Sequence, residues 1–420
     1  MKLSDLWSSG RYLAMMTFAA GIALVRGFFL AGILDATSFG LYVSIVAAGM
    51  FSSLLISFGE NERTIKKFPR IWASQNNHGV MISQSDKSAK AMILRASIVL
   101  IFLLSCIFVS SFIYLAQMGI FVVLVALSAA LASLYSSAIR ASGDVEILAG
   151  NTLIRTMFVI LLGVAGAFFF SWQGAILGEI FGALLGVIVT RYSVVKQTKL
   201  PDHSNVIAGS EDFKTSQDRG LWLFFAGLLA TAPAYLDRTF VALVLGASLV
   251  GTFGFLMLFV TSANVFVGIV AQKIGPQLIK MEYLGDSVII QIKYTLRWLS
   301  LIFLVCFLGM TFVWLTLIYG PAQYFYNKFH LNFSLIQATT ALSMLQIGVL
   351  ADFIMISRNQ ERAIFLSASW YLLTILAVVL IVIWLKLSLL SFIWLLALAK
   401  LIHIAVQVGF IGVAYRKDNC

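Results

Sequence analysis

The sequence predicts an all-α integral membrane protein of about twelve transmembrane helices. We expect two parallel-repeat six-helix bundles around a central cavity, with both termini in the cytoplasm. Three observations predict this fold class: the composition, the alternation of basic connections and a weak tandem repeat. Hydrophobic residues make up 60% of the 420-residue chain and charged residues 11%, and the mean hydropathy is +0.96. Such a composition excludes an ordinary soluble domain.

Twelve apolar runs are each close to the ~20 residues that a helix needs to cross the hydrocarbon of a membrane. The runs lack the short alternating pattern of a membrane barrel, so they predict helices. In chain order, the predicted spans lie near residues 10–32, 38–59, 92–115, 119–140, 152–171, 174–195, 220–245, 248–271, 295–318, 334–356, 363–384 and 388–414.

Lysine and arginine are concentrated in alternate connections between these spans. The odd-numbered ends and connections hold 24 of the 29, including Arg140 and Arg155 between the fourth and fifth spans. The even-numbered connections hold only Lys328 and Lys386. Positive residues stay cytoplasmic during insertion, so the alternation places both ends inside. It also explains the net charge of +11 without nucleic-acid binding.

The two halves of the chain resemble each other in order. Residues 34–42 (LDATSFGLY) match residues 245–253 (LGASLVGTF), and each segment follows the first span of its half. An arginine precedes each segment inside that span, Arg26 or Arg238. Six helices per half give parallel repeats, an arrangement found in alternating-access transporters. We therefore predict an N-terminal bundle at residues 1–198, a cytoplasmic linker at 199–219 and a C-terminal bundle at 220–420.

Ionisable residues inside spans are costly and usually face a cavity or one another. Lys400, His403 and Gln407 follow an i, i+3, i+7 spacing, which places them on one helix face. Lys400 lies about 12 residues into its span, roughly 18 Å from its start and near the midplane. We expect this stripe and the two span arginines to line a cationic substrate cavity, with a structural ion pair as the alternative for Lys400.

The acidic residues inside spans are candidates for ion coupling. Asp237 and Arg238 follow Pro233, which allows a kink, so one side chain can line the cavity while the other pairs elsewhere. Asp352 is either a proton site or a partner of Arg358. Glu179 adjoins a stripe of glycines at every fourth position, which predicts close helix packing: Gly174, Gly178, Gly182 and Gly186. For either span arginine, snorkelling to the outer headgroups is the alternative.

The sequence contains no metal-binding cluster, P-loop or convincing catalytic triad pattern. We therefore expect a transporter and not an enzyme, with no cofactor and no metal. The three cysteines, Cys106, Cys306 and Cys420, do not suggest a disulfide framework.

The chain resembles the bacterial lipid-linked oligosaccharide flippases of the O-antigen (Wzx) type. These belong to the multidrug/oligosaccharidyl-lipid/polysaccharide exporter superfamily. The resemblance covers the whole length and is most specific at residues 235–255 (YLDRTFVALVLGASLVGTFGF), where a charged Asp-Arg pair precedes a Leu-Gly turn. Residues 139–144 (IRASGD) resemble the family's turn after the fourth helix.

The resemblance implies a flippase that moves an undecaprenyl-pyrophosphate-linked oligosaccharide from the cytoplasmic to the periplasmic leaflet of the bacterial inner membrane. The substrate and the lipid bilayer are the implied partners, together with an O-antigen polymerase and a chain-length regulator, and no nucleic acid. The first alternative is a drug/cation antiporter of the same superfamily. A lipid II flippase usually has extra C-terminal helices. An O-antigen polymerase would need a larger periplasmic loop than residues 319–333.

Overall fold

The structure is a computed structural model that describes residues 3–61, 64, 78–107, 113–141, 145–198, 217–283, 288–320, 322–357 and 360–418. Within these ranges all regular elements are helical. Their bounds are α1 Leu3–Ile33, α2 Ala36–Ser57, α3 His78–Ile107, α4 Ile113–Ala141, α5 Val145–Thr198, α6 Gln217–Val244, α7 Ala247–Tyr283, α8 Val288–Tyr319, α9 Gln323–Lys328, α10 Phe333–Met344, α11 Val349–Ser357, α12 Glu361–Leu385 and α13 Leu389–Asp418.

The all-α membrane fold of about twelve crossings is confirmed. Ten helical segments in the described residues are long and apolar enough to span a membrane. One of them, in α5, holds two predicted spans, because the backbone leaves helical geometry at Phe170 and Ser171. The seventh predicted span corresponds to α6. The tenth corresponds to α10 and α11, which a turn of 3-10 helix at Leu345–Gly348 joins.

The third span begins earlier than its apolar run suggests. We predict residues 92–115, whereas the helix begins at His78 and its membrane-compatible part is Ile82–Ser105. The charged Asp86 in its early turns is paired inside the first unit, which explains the difference. Asp86 accepts hydrogen bonds from Arg191 at 2.9 Å and from Tyr135 at 2.7 Å.

The helices form two compact units. One contains Met1–Leu34 and Tyr42–Phe224, and the other contains Asp35–Leu41 and Phe225–Cys420. The predicted division at the 199–219 linker stays a prediction, and most of that linker lies outside the described residues.

The first unit contains a tightly packed hairpin made of the two legs of α5. The predicted glycine packing is confirmed there, because each glycine of the stripe lies against the first leg. A methyl group at Gly182 would come within 2.7 Å of the Phe158 backbone, and one at Gly178 would overlap the Leu162 carbonyl. The absence of side chains therefore lets the two legs touch backbone to backbone.

The second unit is organised around α7, α8 and α10–α13. Val267, Ile274 and Leu278 on α7 are fully buried together with Leu350 and Met355 on α11. This apolar core fixes the positions of α11 and α13, which carry the polar residues described next.

Candidate functional site

The predicted polar stripe on α13 points into the second unit. Lys400, His403 and Gln407 have only 9%, 7% and 0% of their surfaces exposed. Neighbouring residues of the same helix, such as Leu401 and Val408, are more than half exposed. The three side chains are therefore buried inside the second unit, whereas their position on a substrate cavity and their role in substrate binding stay predictions.

Tyr371 on α12 lies against the Lys400 and His403 side chains of this stripe. Its ring stacks on the His403 imidazole at 4.6 Å and 17°. The Lys400 ammonium sits 5.0 Å from the centre of the same ring, a cation–π geometry. Tyr371 was not predicted as a site residue. Its phenol, a polar group inside the predicted span, is the signal that sequence reasoning missed.

Asp352 on α11 contacts Gln407, the last residue of the stripe. Gln407 Nε2 donates a 2.6 Å hydrogen bond to Asp352 Oδ1. Asp352 and Lys400 also interact electrostatically, although no ion pair within 4 Å joins them in the described structure. Arg358, the alternative partner of Asp352, lies outside the described residues.

Two buried polar atoms on the stripe have no hydrogen-bond partner among the residues that the structure describes. They are His403 Nδ1 and Gln407 Oε1. Buried polar groups are normally satisfied, so such orphaned atoms need an explanation. A proton carrier, water or substrate group that visits this part of the unit would satisfy them.

Asp237 and Arg238 lie on α6 in the same unit. Asp237 is buried, with 8% of its surface exposed, and its Oδ1 accepts a 2.6 Å hydrogen bond from the Arg238 backbone amide. It also interacts electrostatically with Tyr371. Arg238 Nε is buried without a hydrogen-bond partner in the described part of the chain. Tyr371 thus interacts electrostatically with Asp237 on α6 and contacts His403 and Lys400 on α13.

Arg26 and Glu179, predicted for different roles, contact each other in the first unit. Arg26 Nη1 lies 3.2 Å from Glu179 Oε1, and the Tyr42 hydroxyl donates to the same oxygen at 2.5 Å. Only 8% of the Glu179 surface is exposed. The charge of Arg26 is therefore compensated inside the unit. Its predicted role as a substrate ligand remains untested.

The first unit also has an apolar groove between α1 and α5, with a volume of about 950 Å³. Its α1 wall repeats at three- and four-residue intervals, so it is one helix face. Gly21 lies in this wall, and a methyl group there would meet nothing within 4 Å. The lining residues are Ala14, Thr17, Phe18, Gly21, Ile22, Val25, Met157, Ile160 and Leu161.

No family model and no curated protein sequence matches the chain, but solved structures match its fold. An inward-facing multidrug resistance MATE family transporter of the MOP superfamily matches with a TM-score of 0.67 and 14% identity, over 95% of this chain and 94% of that chain. An outward-facing one matches with a TM-score of 0.64 and 13% identity, over 98% and 96%. The Vibrio cholerae MATE transporter VcmN in the bent form matches with a TM-score of 0.60 and 15% identity, over 98% of each chain.

These likenesses show that the chain has the fold of MATE transporters of the MOP superfamily. At 13–15% identity they do not distinguish between the substrate classes of that superfamily.

Proposed function

We propose that this multi-pass membrane protein is a secondary transporter that works by alternating access. The observation that carries the proposal is the charged cluster of the second unit, made of Lys400, Asp352 and Asp237 on helices that correspond to predicted spans. Lys400 and Asp237 are buried and Asp352 is half-buried. Charged groups at this depth are expensive, and they persist where they serve a substrate or ion pathway. Solved structures with the same fold occur in inward-facing and outward-facing conformations, which supports the mechanism.

The first candidate substrate is an undecaprenyl-pyrophosphate-linked oligosaccharide, moved from the cytoplasmic to the periplasmic leaflet. The Lys400 ammonium favours it, because this buried cation has no carboxylate within ion-pair distance in the described residues and can offset a pyrophosphate charge. The apolar groove of the first unit suits a hydrocarbon tail. Each negative charge that leaves a negative interior gains roughly 2.3 kcal/mol per 100 mV, so the membrane potential can drive export.

The second candidate is export of organic cations in exchange for protons or sodium. Two observations favour it. The solved structures that match are named as multidrug resistance transporters, and the second unit holds a buried acid, Asp237, and a half-buried one, Asp352, that suit a cation or a proton. The comparisons support this candidate better than the flippase, whereas the buried lysine supports the flippase.

A reconstituted transport assay separates the two candidates. Purified protein in vesicles is given a fluorescent undecaprenyl-pyrophosphate oligosaccharide, or a fluorescent organic cation, with and without an imposed membrane potential. Lys400→Ala tests the cluster, and Lys293→Ala removes an exposed lysine of the same unit as the control. The flippase proposal expects lipid flipping that Lys400→Ala abolishes while the control retains it.

The other outcomes are equally distinct. Cation efflux without flipping, across several unrelated glycans, assigns the antiporter and moves the test to Asp237 and Asp352. Flipping that persists unchanged in Lys400→Ala rejects the role of the lysine. Absence of both activities in protein of normal membrane abundance rejects the transporter proposal for these substrates.

A further inference from the structure

Arg155 lies in a position that its place in the sequence does not suggest. By sequence it is grouped with the cytoplasmic connection. In the structure it lies ten residues after the start of α5 at Val145. The side chain is half-buried and lies along Gly186 on the second leg of the hairpin. A methyl group at Gly186 would overlap the Arg155 side chain, so this last glycine of the stripe makes room for an arginine.

Among the residues that the structure describes, the Arg155 guanidinium has no counter-charge. No hydrogen bond or ion pair joins it to any of them. By comparison, Arg191 on the second leg makes a two-point contact with Asp86 at 2.9 and 3.1 Å. A half-buried arginine normally has such a partner, because five donors and a full charge are costly to leave unmatched.

Asn151 provides a second, independent observation one turn earlier on the same face of α5. Only 7% of its surface is exposed. Its Oδ1 accepts a 3.2 Å hydrogen bond from the Ser193 hydroxyl. Its Nδ2 is buried and has no partner among the described residues. The amide nitrogen therefore has two unused donors, one helical turn from Arg155 on the same face of α5.

The hydroxyl groups nearby do not supply the missing acceptors. Thr152, Thr156 and Thr190 each donate to a carbonyl of their own helix, at 2.8, 2.8 and 2.7 Å. None of them accepts a hydrogen bond from Arg155 or Asn151. This end of the hairpin, which is predicted to be cytoplasmic, is thus rich in donors. Its first turn carries the exposed Glu146, but no carboxylate of the described residues pairs with Arg155.

We propose that Asn151 and Arg155 form a binding site for a phosphate-type oxyanion at the predicted cytoplasmic end of the first unit. A tetrahedral oxyanion offers several acceptors, which a guanidinium fork and a neighbouring amide match. The site goes beyond the transport function, because it does not depend on what Lys400 binds. The same chemistry is available from a lipid phosphate group at the headgroup level or from free phosphate or pyrophosphate.

The test uses the full chain in phosphatidylcholine nanodiscs. One arm adds phosphatidic acid and counts retained lipid by native mass spectrometry. The other adds sodium pyrophosphate at constant ionic strength and follows thermal unfolding. Arg155→Gln removes the fork, and Asn151→Leu removes the amide donors at nearly constant volume. Arg140→Gln removes one exposed arginine from the last turn of α4 and serves as the charge-matched control.

We expect at least one probe to bind the wild type and the control alike, and Arg155→Gln to weaken its binding about ten- to a hundredfold, as for loss of a charge-assisted hydrogen bond. Loss for phosphatidic acid alone assigns a lipid headgroup, and loss for pyrophosphate alone assigns a free anion. Equal binding to the wild type and Arg155→Gln for both probes, or binding of neither, overturns the site. If Arg155→Gln does not fold, Asn151→Leu decides, because unchanged binding in that variant also overturns it.

Discussion

Gln407 on α13 donates a 2.6 Å hydrogen bond to the Asp352 carboxylate on α11, across 55 residues of sequence. The glutamine is fully buried, and its amide oxygen has no partner in the described residues. One amide therefore links the two helices and holds an acid in place inside the second unit. Asp352 is therefore held in a fixed position, and its role in ion coupling stays a prediction.

Replacing Gln407 with leucine should destabilise the second unit. The half-buried Asp352 carboxyl would lose its donor, and we expect a cost of about 1 kcal/mol, at the lower end of the range for an unsatisfied group. Thermal unfolding of the purified protein measures the effect. Asp352→Asn and the double variant complete a double-mutant cycle, and strictly additive changes would contradict a direct coupling.

Tyr371 should tolerate phenylalanine but not leucine. Phenylalanine keeps the ring that stacks on His403 and lies under Lys400, whereas leucine removes both contacts. A cation–π contact contributes about 0.5–2 kcal/mol, so Tyr371→Leu should lower the unfolding midpoint more than Tyr371→Phe does. If the phenol itself takes part in transport through Asp237, Tyr371→Phe will lose transport at unchanged stability, which vesicle assays will show.

Removing one charge of the Arg26–Glu179 pair should destabilise the protein more than removing both. Glu179→Gln leaves a buried guanidinium without its counter-charge, and we expect a loss on the order of 3 kcal/mol. Arg26→Met combined with Glu179→Leu should recover most of this stability. Tyr42→Phe, which removes one hydrogen bond to Glu179, should cost about 1 kcal/mol. If the double variant does not recover stability, the pair does more than balance charge.

The apolar groove of the first unit can be filled without disturbing its walls. Gly21→Phe places a ring in open space, so we expect normal folding and a strong loss of transport for substrates with long hydrocarbon tails. Gly309→Phe is the matched control, because a side chain at that α8 position also meets nothing within 4 Å. Equal transport by both variants would remove the groove from the substrate path.

Asp35 should make the second unit sensitive to acid. It caps α2, with Oδ2 accepting the backbone amides of Thr37 and Ser38 at 3.0 Å. The hydrogen bonds from Ser38, then those from Thr37, hold the pKa of this carboxyl below its ordinary value. The stabilisation is therefore present above the unfolded pKa of about 3.9 and lost as the pH falls through the lower folded value.

Two substitutions test this cap. Asp35→Asn keeps a good capping residue without the titration, so its unfolding midpoint should rise relative to the wild type below about pH 4. Asp35→Ala should cost about 1 kcal/mol at neutral pH. Parallel curves for the wild type and Asp35→Asn between acid and neutral pH would argue against the cap.

Local patterns predicted much of this fold. Long apolar runs indicated the crossings, and the spacing of Lys400, His403 and Gln407 indicated a shared buried face, because both depend on residues a few positions apart. The start of α3 was wrong by more than ten residues, since Asp86 and its neighbours are satisfied by Arg191 and Tyr135 from distant helices.

Long-range partners were not predictable in the same way. Nothing near Arg26 in the sequence indicates Glu179, and nothing near Asp352 indicates Gln407, because such pairs are decided by how helices pack. Arg155 was counted with a cytoplasmic connection because it lies near the start of its predicted span. Its burial depends on the space that Gly186 leaves on the other leg of the hairpin.

The glycine stripe of α5 has a consequence for how this chain tolerates mutation. Gly174, Gly178 and Gly182 each face backbone atoms of the opposite leg, so even a methyl group must separate the legs. Gly21 and Gly309 face open space. In a saturation-mutagenesis library selected only for folded protein, the three stripe positions should therefore retain glycine, whereas positions 21 and 309 should accept most residues.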